Sequence, residues 1–341
     1  MTHTFPFAAI AGQDEMRRAI LLAAVDPSLG GVMVFGDRGT GKSTAVRAIA
    51  DVLPEIAVVD GCAYNCAPGA VSLNCAQCAS KPADELATQM RPVPVVDLPL
   101  GATEDRVVGA LDIERALSRG EKAFEPGLLA SAHRGFLYID EINLLEDHLI
   151  DLLLDVAVSK TNIVEREGIS VRHPAAFVLV GSGNPEEGEL RPQLLDRFAL
   201  SVEVTTPRDV DTRVTIIKRR TSFEHDPAAF VATFSKETAR LRDQVAAARA
   251  RLGDITVSDA VLASAAELCL ALGTDGLRGE LTLIKAAKAL AALDDQPAVE
   301  IAHLRAIAPS ALRHRLRRDP LDEAGSSARV ARAIDDIFGP Q

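Results

Sequence analysis

Residues 31–44 read GVMVFGDRGTGKST, a short apolar run that leads directly into a glycine-rich segment. The segment from Gly36 to Ser43 matches the spacing G-x-x-x-x-G-K-[ST] of a phosphate-binding loop. The residues that follow, from Lys42 onward, carry apolar side chains at helical spacing. This order of strand, glycine-rich loop and helix predicts a P-loop nucleotide-binding fold.

The chemistry of this loop predicts how it binds a nucleotide. Its glycines let backbone N–H groups and the helix N-terminus meet the negative charge of a phosphate. Lys42 is expected to reach the outer phosphates, and Ser43 is expected to bind Mg²⁺. The residues expected to contact the nucleotide are Gly36, Asp37, Arg38, Gly39, Thr40, Gly41, Lys42, Ser43 and Thr44. The alternative is a glycine-rich turn that matches by chance, and the strand and helix on either side argue against it.

Three further apolar runs indicate other strands. They are IAVVD at residues 56–60, GFLYID at 135–140 and FVLVGS at 177–182, and helical stretches separate them. Short buried runs between helices are typical of a parallel sheet covered on both faces. We therefore predict an α/β domain over residues 1–205.

The pattern changes after residue 205. In the segment TPRDVDTRVTIIKRR, Thr206 is a candidate N-cap and Pro207 occupies the first helical position, so we predict a linking helix and loop over residues 206–240. Helical periodicity then recurs in segments separated by glycine, proline and aspartate. This periodicity predicts an all-helical domain over residues 241–341.

Composition and charge narrow the class of protein. The 341 residues are 48% hydrophobic, which allows a substantial core, and the formal net charge is -11. An acidic chain disfavours a general affinity for nucleic acid, and we expect no nucleic-acid partner. The basic run RHRLRR at residues 313–318 is interpreted as a solvated helix end, with a local nucleic-acid patch as the alternative.

Neither a targeting signal nor a membrane span is predicted. The opening residues, MTHTFPFAAIAG, lack a basic segment followed by a long apolar run. The best candidate for a membrane span, VLASAAELCLALG, is short and contains Glu267. We therefore expect a cytoplasmic protein.

Two polar sites follow apolar runs downstream of the loop. Asp140 and Glu141 end the run GFLYIDE, so Asp140 is expected to bind the metal shell and Glu141 to orient or deprotonate an attacking water. Asn184 follows FVLVGSG, where its amide could contact the γ-phosphate or that water. The alternatives are acids that simply end a strand in solvent and an Asn-Pro turn.

Two arginines are candidates for sensing the nucleotide. Arg197, in LLDRFAL, could stabilise charge on the phosphate bound to a neighbouring protomer, which predicts a ring. The alternative for Arg197 is a surface ion pair with Asp196. Arg278, in DGLRGEL, lies near a predicted helix start and could fold back onto the nucleotide. The alternative for Arg278 is an exposed loop arginine.

One further segment has the pattern of a β-hairpin. Residues 161–174, TNIVEREGISVRHP, contain two β-branched stretches around Gly168, which predict a hairpin, either projecting beyond the sheet or lying at its edge.

Four of the five cysteines are clustered within seventeen residues, at Cys62, Cys66, Cys75 and Cys78. Four thiolates could hold a structural Zn²⁺ tetrahedrally, and the alternatives are reduced thiols in a loose loop and a redox-responsive pair.

The order of these motifs resembles that of AAA+ ATPases. The resemblance implies a P-loop core with a five-stranded parallel sheet and a C-terminal helical lid. FAAIAGQDEMRRAI is similar to the family's opening segment, which implies that Ile10, Gly12 and Gln13 lie near adenine and ribose. It also implies that Arg197 acts on a neighbour's nucleotide and that Arg278 is a lid sensor. The residues assigned to catalysis are Lys42, Glu141, Asn184, Arg197 and Arg278.

Longer segments, including KAFEPGLLASAHRGFLYIDEINLLEDHLIDLLLDV and GSGNPEEGELRPQLLDRF, resemble the small ATPase subunits (I-type) of magnesium chelatases. The resemblance implies ATP and Mg²⁺ as cofactors and a homo-oligomeric ring, a hexamer. It also implies D-type and H-type magnesium chelatase subunits as partners and insertion of Mg²⁺ into protoporphyrin IX for (bacterio)chlorophyll, with porphyrin met only through the H-type partner. The alternative is a related ATPase of a cobalt chelatase or a MoxR-like system. From a different class, a nucleotide-gated DNA-binding protein is a further alternative.

Overall fold

Five strands form one sheet, and helices make up most of the C-terminal part of the chain. The structure is a computed structural model that describes residues 3–69, 75–82, 85–120, 122–166, 168–188, 190–316 and 325–339. Two compact units divide the chain: the first unit joins Met1–Leu53 to Gly183–Gln341, and the second unit is Pro54–Ser182. The expected domain boundaries near residues 205 and 240 stay a prediction.

Strands lie within the first two thirds of the chain, with helices between many of them. The strands of the described residues are β1 (Gly31–Gly36), β2 (Ile56–Val59), β3 (Thr88–Arg91), β4 (Val95–Leu98), β5 (Gly109–Leu111), β6 (Phe124–Pro126), β7 (Phe136–Ile139), β8 (Thr161–Arg166), β9 (Ile169–Pro174), β10 (Val178–Gly183) and β11 (Leu200–Val204). The helices are α1 (Asp14–Val25), α2 (Lys42–Ala48), α3 (Ala76–Ala79), α4 (Glu104–Val108), α5 (Ile113–Arg119), α6 (Leu128–Ser131), α7 (Asp147–Ser159), α8 (Pro192–Leu195), α9 (Val210–His225), α10 (Pro227–Thr233), α11 (Ser235–Arg251), α12 (Asp259–Leu272), α13 (Arg278–Leu293), α14 (Ile301–Leu312) and α15 (Ser326–Phe338). None of the described helices is long and apolar enough to span a membrane.

In the first unit, β1 carries the phosphate loop at its carboxyl end. Strand β11 runs parallel to β1, with Val32 aligned to Leu200. Val32, Met33 and Val34 are all fully buried, although successive side chains of a strand point to opposite faces. Both faces of β1 are therefore covered, which explains its continuous apolar sequence.

In the second unit, β7 lies between two parallel neighbours. Phe136 of β7 aligns with Val95 of β4 on one side and with Val178 of β10 on the other. All four residues of β7 are buried, and the acid pair follows directly after it. The five sheet strands are β1, β4, β7, β10 and β11, so the predicted fold class of a five-stranded parallel sheet with a helical C-terminal part is confirmed.

The C-terminal helices of the first unit pack through small side chains. Helix α14 contacts α13, α15 and β11, and the alanines at 286, 287, 308 and 311 are fully buried. Small side chains let helix axes approach closely while the core stays densely filled. Ser258 caps α12 by accepting a bond from the N–H of Val261, and Gly273 ends this helix at a φ of 66°. The predicted helical character of this part is confirmed.

One strand was assigned to the wrong sheet, and two strands of the parallel sheet were missed. Residues 56–59 were expected in the parallel sheet, but β2 pairs antiparallel with β3 in a separate two-stranded sheet. Ile56 and Ala57 are only half-buried and the facing strand, TQMR, is polar, so this pair does not need cover on both faces. The sheet strands β4 and β11 were missed because VVDL and LSVEV are short and carry an acid.

The start of the linking helix also differs from the prediction. Thr206 was expected as the N-cap, but α9 begins at Val210 and Asp209 is its cap. The Asp209 carboxylate accepts a bond from the N–H of Thr212 at 2.7 Å, which satisfies one of the free N–H groups of the first turn. Pro207 instead accepts a bond at its carbonyl from the guanidinium of Arg213.

The predicted hairpin around Gly168 is confirmed. Strands β8 and β9 pair antiparallel from Thr161 opposite Pro174 to Arg166 opposite Ile169, and form a sheet of their own. Arg166 bonds to the carboxylates of Glu104 and Asp105, which lie in the first turn of α4. The hairpin is thus an addition to the second unit and not an edge of the parallel sheet.

Candidate functional site

The phosphate loop of the first unit has the backbone that its sequence requires. Gly39 and Gly41 adopt φ values of 77° and 84°, a left-handed conformation that favours glycine. A side chain at Gly36 would collide with the carbonyl oxygen of Val204, so glycine is needed there for space. The loop ends at Lys42, the first residue of α2.

Lys42 lies over this loop. Its Nζ donates to the carbonyl oxygens of Gly36 at 2.5 Å and Asp37 at 2.7 Å, and the hydroxyl of Thr40 donates to the Asp37 carbonyl at 2.8 Å. Ser43 follows directly and is half-buried. An ammonium group, hydroxyl groups and left-handed glycine backbone suit a polyphosphate with its Mg²⁺. The residues present therefore fit the ligand that the sequence predicts.

The N-terminal segment contacts the loop through one side chain. The amide nitrogen of Gln13 donates to the carbonyls of Thr40 and Thr205, both at 3.4 Å. Gly12, at a φ of 71°, lies where a side chain would clash with Thr212. Ile10 is half-buried just before this turn. Gln13 is thus held beside the phosphate loop, as part of the segment expected near adenine and ribose.

Asn184 and its neighbours also belong to the first unit. Asn184 is 5% exposed, and its Oδ1 accepts a bond from the N–H of Glu186 at 3.1 Å. This bond caps the short 3₁₀ turn Pro185–Glu187 and fixes the amide orientation. Glu187 in the same turn forms an ion pair with Arg38 of the phosphate loop. Sequence reasoning missed this pair, because no local pattern links residues that lie so far apart in the chain.

The acid pair lies in the second unit, where two hydroxyl groups hold it. Asp140 accepts bonds from the hydroxyls of Tyr138 at 2.9 Å and Ser182 at 2.6 Å. Glu141 has a φ of 53°, and its N–H donates to the Ser182 hydroxyl at 3.3 Å. The positive φ is rare for a residue with a side chain and indicates a backbone held by its surroundings. Both Asp140 and the Glu141 backbone are therefore fixed by the same serine.

Tyr138 and Ser182 were not singled out from the sequence. Tyr138 is 1% exposed and Ser182 is fully buried, and their hydroxyls lie 3.0 Å apart. A tyrosine in an otherwise apolar buried strand needs a partner for its hydroxyl, and the acid two residues later is the nearest in the chain. That signal was available in GFLYID, whereas the role of Ser182 required the sheet register.

Asp196 lies beside both candidate arginines: it precedes Arg197 in the chain and pairs with Arg278. Arg197 is exposed and follows Asp196, whose carboxylate forms ion pairs with Arg278 and Arg315. Arg278 is exposed and begins α13, as predicted, but it reaches Asp196 instead of standing free in a loop. The structure thus links Arg278 to the residue directly before Arg197.

The basic run at 313–318 was interpreted wrongly as a solvated helix end. Arg313 and Arg315 are 7% and 9% exposed, and residues 317 and 318 lie outside the described residues. Arg313 forms an ion pair with Glu15. Arg315 donates to the carbonyls of Phe198 at 2.7 Å and Ala199 at 3.0 Å, among others. The buried guanidinium groups serve the fold, which removes them from a nucleic-acid patch.

Burial changes the acid–base behaviour of this run. It lowers the pKa of Arg315 to about 10, although the Asp196 carboxylate opposes the change. Burial and the charge of Arg315 together hold the pKa of His314 well below its ordinary value of 6.5. His314 is therefore neutral near pH 7, which allows its ring nitrogen to lie 2.6 Å from an Arg315 nitrogen.

The four clustered cysteines converge in the second unit. Their Sγ atoms all lie within 4.8 Å of one another, and the thiols are reduced and buried. Cys62 and Cys75 are 3.9 Å apart at sulfur. Burial raises the pKa of the Cys78 thiol to about 12. Residues 70–74, between the second and third cysteine, lie outside the described residues.

The parallel sheet, the phosphate loop and the helical C-terminal part define a P-loop NTPase of the AAA+ class. A family model of the AAA lid domain matches residues 262–334. A solved structure of a Cytophaga hutchinsonii protein, named as a candidate ATPase, shares this fold with a TM-score of 0.63 over 97% of this chain and 91% of that one, at 16% identity.

Closer relatives specify the family. The model for magnesium chelatase, subunit ChlI, matches residues 112–191. The magnesium-chelatase 38 kDa subunits of Acidiphilium rubrum and Cereibacter sphaeroides are 64% and 61% identical over 98% and 99% of this chain, and 97% and 100% of their own lengths. The chain belongs to this magnesium chelatase subunit family. A structure of the complex between subunits BchI and BchD, based on a cryo-EM reconstruction, matches 94% of this chain and 98% of that one at 57% identity, with a TM-score of 0.55.

Proposed function

We propose that this chain is the ATP-hydrolysing motor subunit of a magnesium chelatase, which drives insertion of Mg²⁺ into protoporphyrin IX in (bacterio)chlorophyll biosynthesis. The observation that carries the proposal is the 64% identity to a magnesium-chelatase 38 kDa subunit along 98% of this chain. The intact phosphate loop supports the same function, because a motor subunit must bind and hydrolyse ATP.

The loop residues bind ATP in this proposal. Lys42, which bonds to the carbonyls of Gly36 and Asp37, exchanges these partners for outer phosphate oxygens. The open space at Gly39 and Gly41 admits the phosphates close to the backbone. The cofactor Mg²⁺, when bound, neutralises phosphate charge, with Ser43 as its proposed ligand from the loop and Asp140 as its proposed acid partner. ATP and Mg²⁺ serve this function, and any metal at the cysteine cluster would be structural.

Glu141 and Asn184 act on the attacking water in this proposal. The Glu141 carboxylate orients and deprotonates the water, and its backbone is held by Ser182 for this purpose. Because the Oδ1 of Asn184 already accepts a bond from Glu186, its Nδ2 group makes the contact to phosphate or water. The observed bonds fix the backbone of Glu141 and the side chain of Asn184, which supports these roles.

Hydrolysis is completed by a second copy of the chain in a ring, for which we propose a hexamer. Arg197 reaches the nucleotide of the adjoining protomer and stabilises charge on the transferred phosphate. Its exposure agrees with this role. Apolar side chains are also exposed nearby in sequence to the sensor Arg278, at Leu277 and Leu281, as they are on α9 at Val210 and Ile217. Burial of these side chains against a neighbour would favour ring assembly.

The partners in this proposal are the D-type and H-type subunits of the chelatase, and porphyrin is met only through the H-type partner. Partnership with a D-type protein is supported by the similarity to the BchI–BchD complex. The segment DIERALSRGEKAFEPGLLA at residues 112–130 and the β8–β9 hairpin are the additions that we propose transmit motion to these partners. We place the protein in the cytoplasm.

Reconstituted chelation tests the proposal. The chain is mixed with a D-type subunit, a porphyrin-binding H-type subunit, protoporphyrin IX, Mg²⁺ and ATP, and Mg-protoporphyrin fluorescence is followed. We expect product only when both this chain and ATP are present, and none with Lys42→Ala. ATP hydrolysis without Mg-protoporphyrin, in a mixture where a known I-type subunit supports chelation, would assign the motor to another client, such as a cobalt chelatase.

A further inference from the structure

We propose that the four clustered cysteines bind one structural Zn²⁺ ion as a tetrathiolate site, a function separate from ATP hydrolysis. The ligands are Cys62, Cys66, Cys75 and Cys78. Tetrahedral zinc with Zn–S bonds of about 2.3 Å places its sulfurs about 3.8 Å apart. The 3.9 Å between the sulfurs of Cys62 and Cys75 matches this separation, and all four sulfurs lie within 4.8 Å. A disulfide requires sulfurs about 2.05 Å apart, so the cluster is spaced for a metal.

Backbone donors around the sulfurs support the same ligand. The N–H of Tyr64 points to the sulfur of Cys62 at 3.4 Å, and the N–H of Cys75 points to the sulfur of Cys66 at 3.2 Å. Such bonds stabilise negative charge on sulfur and orient the ligands, as outer-shell partners do in metal sites. Backbone N–H groups would thus stabilise the thiolate form of two of the four ligands, Cys62 and Cys66.

The surroundings exclude water from the cluster. The four cysteines are between 0% and 7% exposed and pack with Val59 and Leu86 in one core. Zn²⁺ binding would displace the thiol protons to solvent as the four Zn–S bonds form, with no change of oxidation state. Four thiolates leave the zinc no open position, which makes the site structural rather than catalytic.

The site would fix a loop of the second unit that contacts several neighbouring elements. The cysteine loop follows β2, and the N–H of Val59 bonds to the carbonyl of Cys66 at 2.9 Å. The ring of Tyr64 stacks on His173 of β9 with centroids 4.7 Å apart. Arg134 donates to the carbonyls of Ala57 at 2.6 Å and Asn65 at 3.2 Å. Zinc would therefore fix a loop that contacts the β8–β9 hairpin through Tyr64 and His173.

Metal analysis of the full chain, purified without chelator, tests the site. We expect about one equivalent of zinc per chain, and cobalt exchanged for zinc should show the visible absorption of a tetrahedral cobalt thiolate. Cys78→Ser should lower the zinc content at least about fivefold. Cys269→Ser is the matched control, because Cys269 is a buried reduced cysteine of α12 outside the cluster, and it should keep the full zinc content.

A second measurement covers the case in which Cys78→Ser fails to fold. Zinc is stripped from the parent chain with a strong chelator and then restored, and hydrogen exchange is followed in residues 161–174. We expect faster exchange of the hairpin after stripping and recovery with Zn²⁺ alone. Less than about a tenth of an equivalent of zinc, together with no cobalt–thiolate absorption, would overturn the proposal, as would disulfides in the chain isolated with thiols blocked. ATP hydrolysis that persists in a zinc-free chain would leave the nucleotide site and its proposed function intact.

Discussion

Two polar regions of the first unit are built on different principles. In the phosphate loop, Lys42 and Thr40 bond to carbonyls within six residues of themselves. In the Asp196 cluster, which consists of Asp196, Arg278, His314 and Arg315, the arginines bond to a residue 82 and 119 positions away. The loop is local in the chain, and the cluster is assembled only by folding.

The difference in exposure gives the two regions different roles. The loop is partly exposed and none of its residues is fully buried, so its bonds can be exchanged for bonds to phosphate or water at little free-energy change. Arg315 is 9% exposed and bonds to several backbone carbonyls. If its guanidinium is removed, water cannot easily reach these buried carbonyls to bond in its place. A change in the loop should therefore affect activity with little effect on stability, and a change in the buried cluster should do the reverse.

Lys42→Ala is expected to give the largest effect on activity. Loss of the ammonium group removes stabilisation of both the bound and the transferred phosphate charge, and ATP hydrolysis should fall by more than about 1000-fold. Phosphate release in steady state measures this loss, and the melting temperature should change little. Lys236→Ala is the matched control, because Lys236 is an exposed lysine on α11. Hydrolysis within tenfold of the parent rate would contradict the assigned role of the loop.

Arg197→Ala should keep ATP binding and lose hydrolysis by about 1000-fold, because an arginine acting from a neighbour stabilises the transition state rather than the bound nucleotide. Nucleotide binding and phosphate release are measured in parallel. Mixing with Lys42→Ala should restore part of the activity, since hybrid interfaces combine an intact loop with an intact arginine. If mixed rings form without any rescue, the assignment of Arg197 is wrong.

Arg315 and Arg278 both pair with the Asp196 carboxylate, so variants of the two test how burial affects the contribution of an arginine to stability. Arg315→Met should lower the free energy of unfolding by about 3 kcal/mol, because buried carbonyls lose their donor. Arg278→Ala removes an exposed partner of Asp196 and should change it by at most about 1 kcal/mol. Urea unfolding of both variants measures the difference. Similar losses of unfolding free energy in the two variants would show that burial does not determine how much each arginine contributes to stability.

The pH dependence of unfolding tests the buried cluster through His314. The pKa of His314 is depressed well below 6.5 in the folded state, so the unfolded chain takes up the proton first as the pH falls. The stability that His314 contributes is therefore present above pH 6.5 and is lost at lower pH, by up to about 1.4 kcal/mol per pH unit.

His314→Gln should flatten this dependence, and urea unfolding over a pH series measures the slope. The exposed His225→Gln on α9 is the control and should leave the slope unchanged. The positive charges of Arg315 and Arg313 both lower the pKa of His314, and both arginines are present in the parent and in His314→Gln. A parent slope equal to that of His314→Gln would remove His314 as the cause.

The sequence predicted some parts of the candidate site better than others. The loop from Gly36 to Ser43 was predicted in position and conformation because its spacing encodes a local backbone. Asp140 was predicted at its strand end, but the hydroxyl of Ser182 that holds it comes from another strand of the sheet. The interpretation of Arg315 failed because a basic run reads as solvated unless the chain turns it inward.

The amino-acid sequence by itself determined the elements whose causes are local: the strand–loop–helix of the phosphate site, the hairpin around Gly168, and the helical periodicity of the C-terminal part. Only the tertiary structure decided that β2 leaves the parallel sheet, that four cysteine sulfurs meet within 4.8 Å, and that Asp196 joins Arg278 to Arg315. The physical reason is that backbone conformation and amphipathic spacing depend on neighbours in the chain. Burial and charge pairing depend instead on neighbours in space, which the folded chain brings together from distant positions.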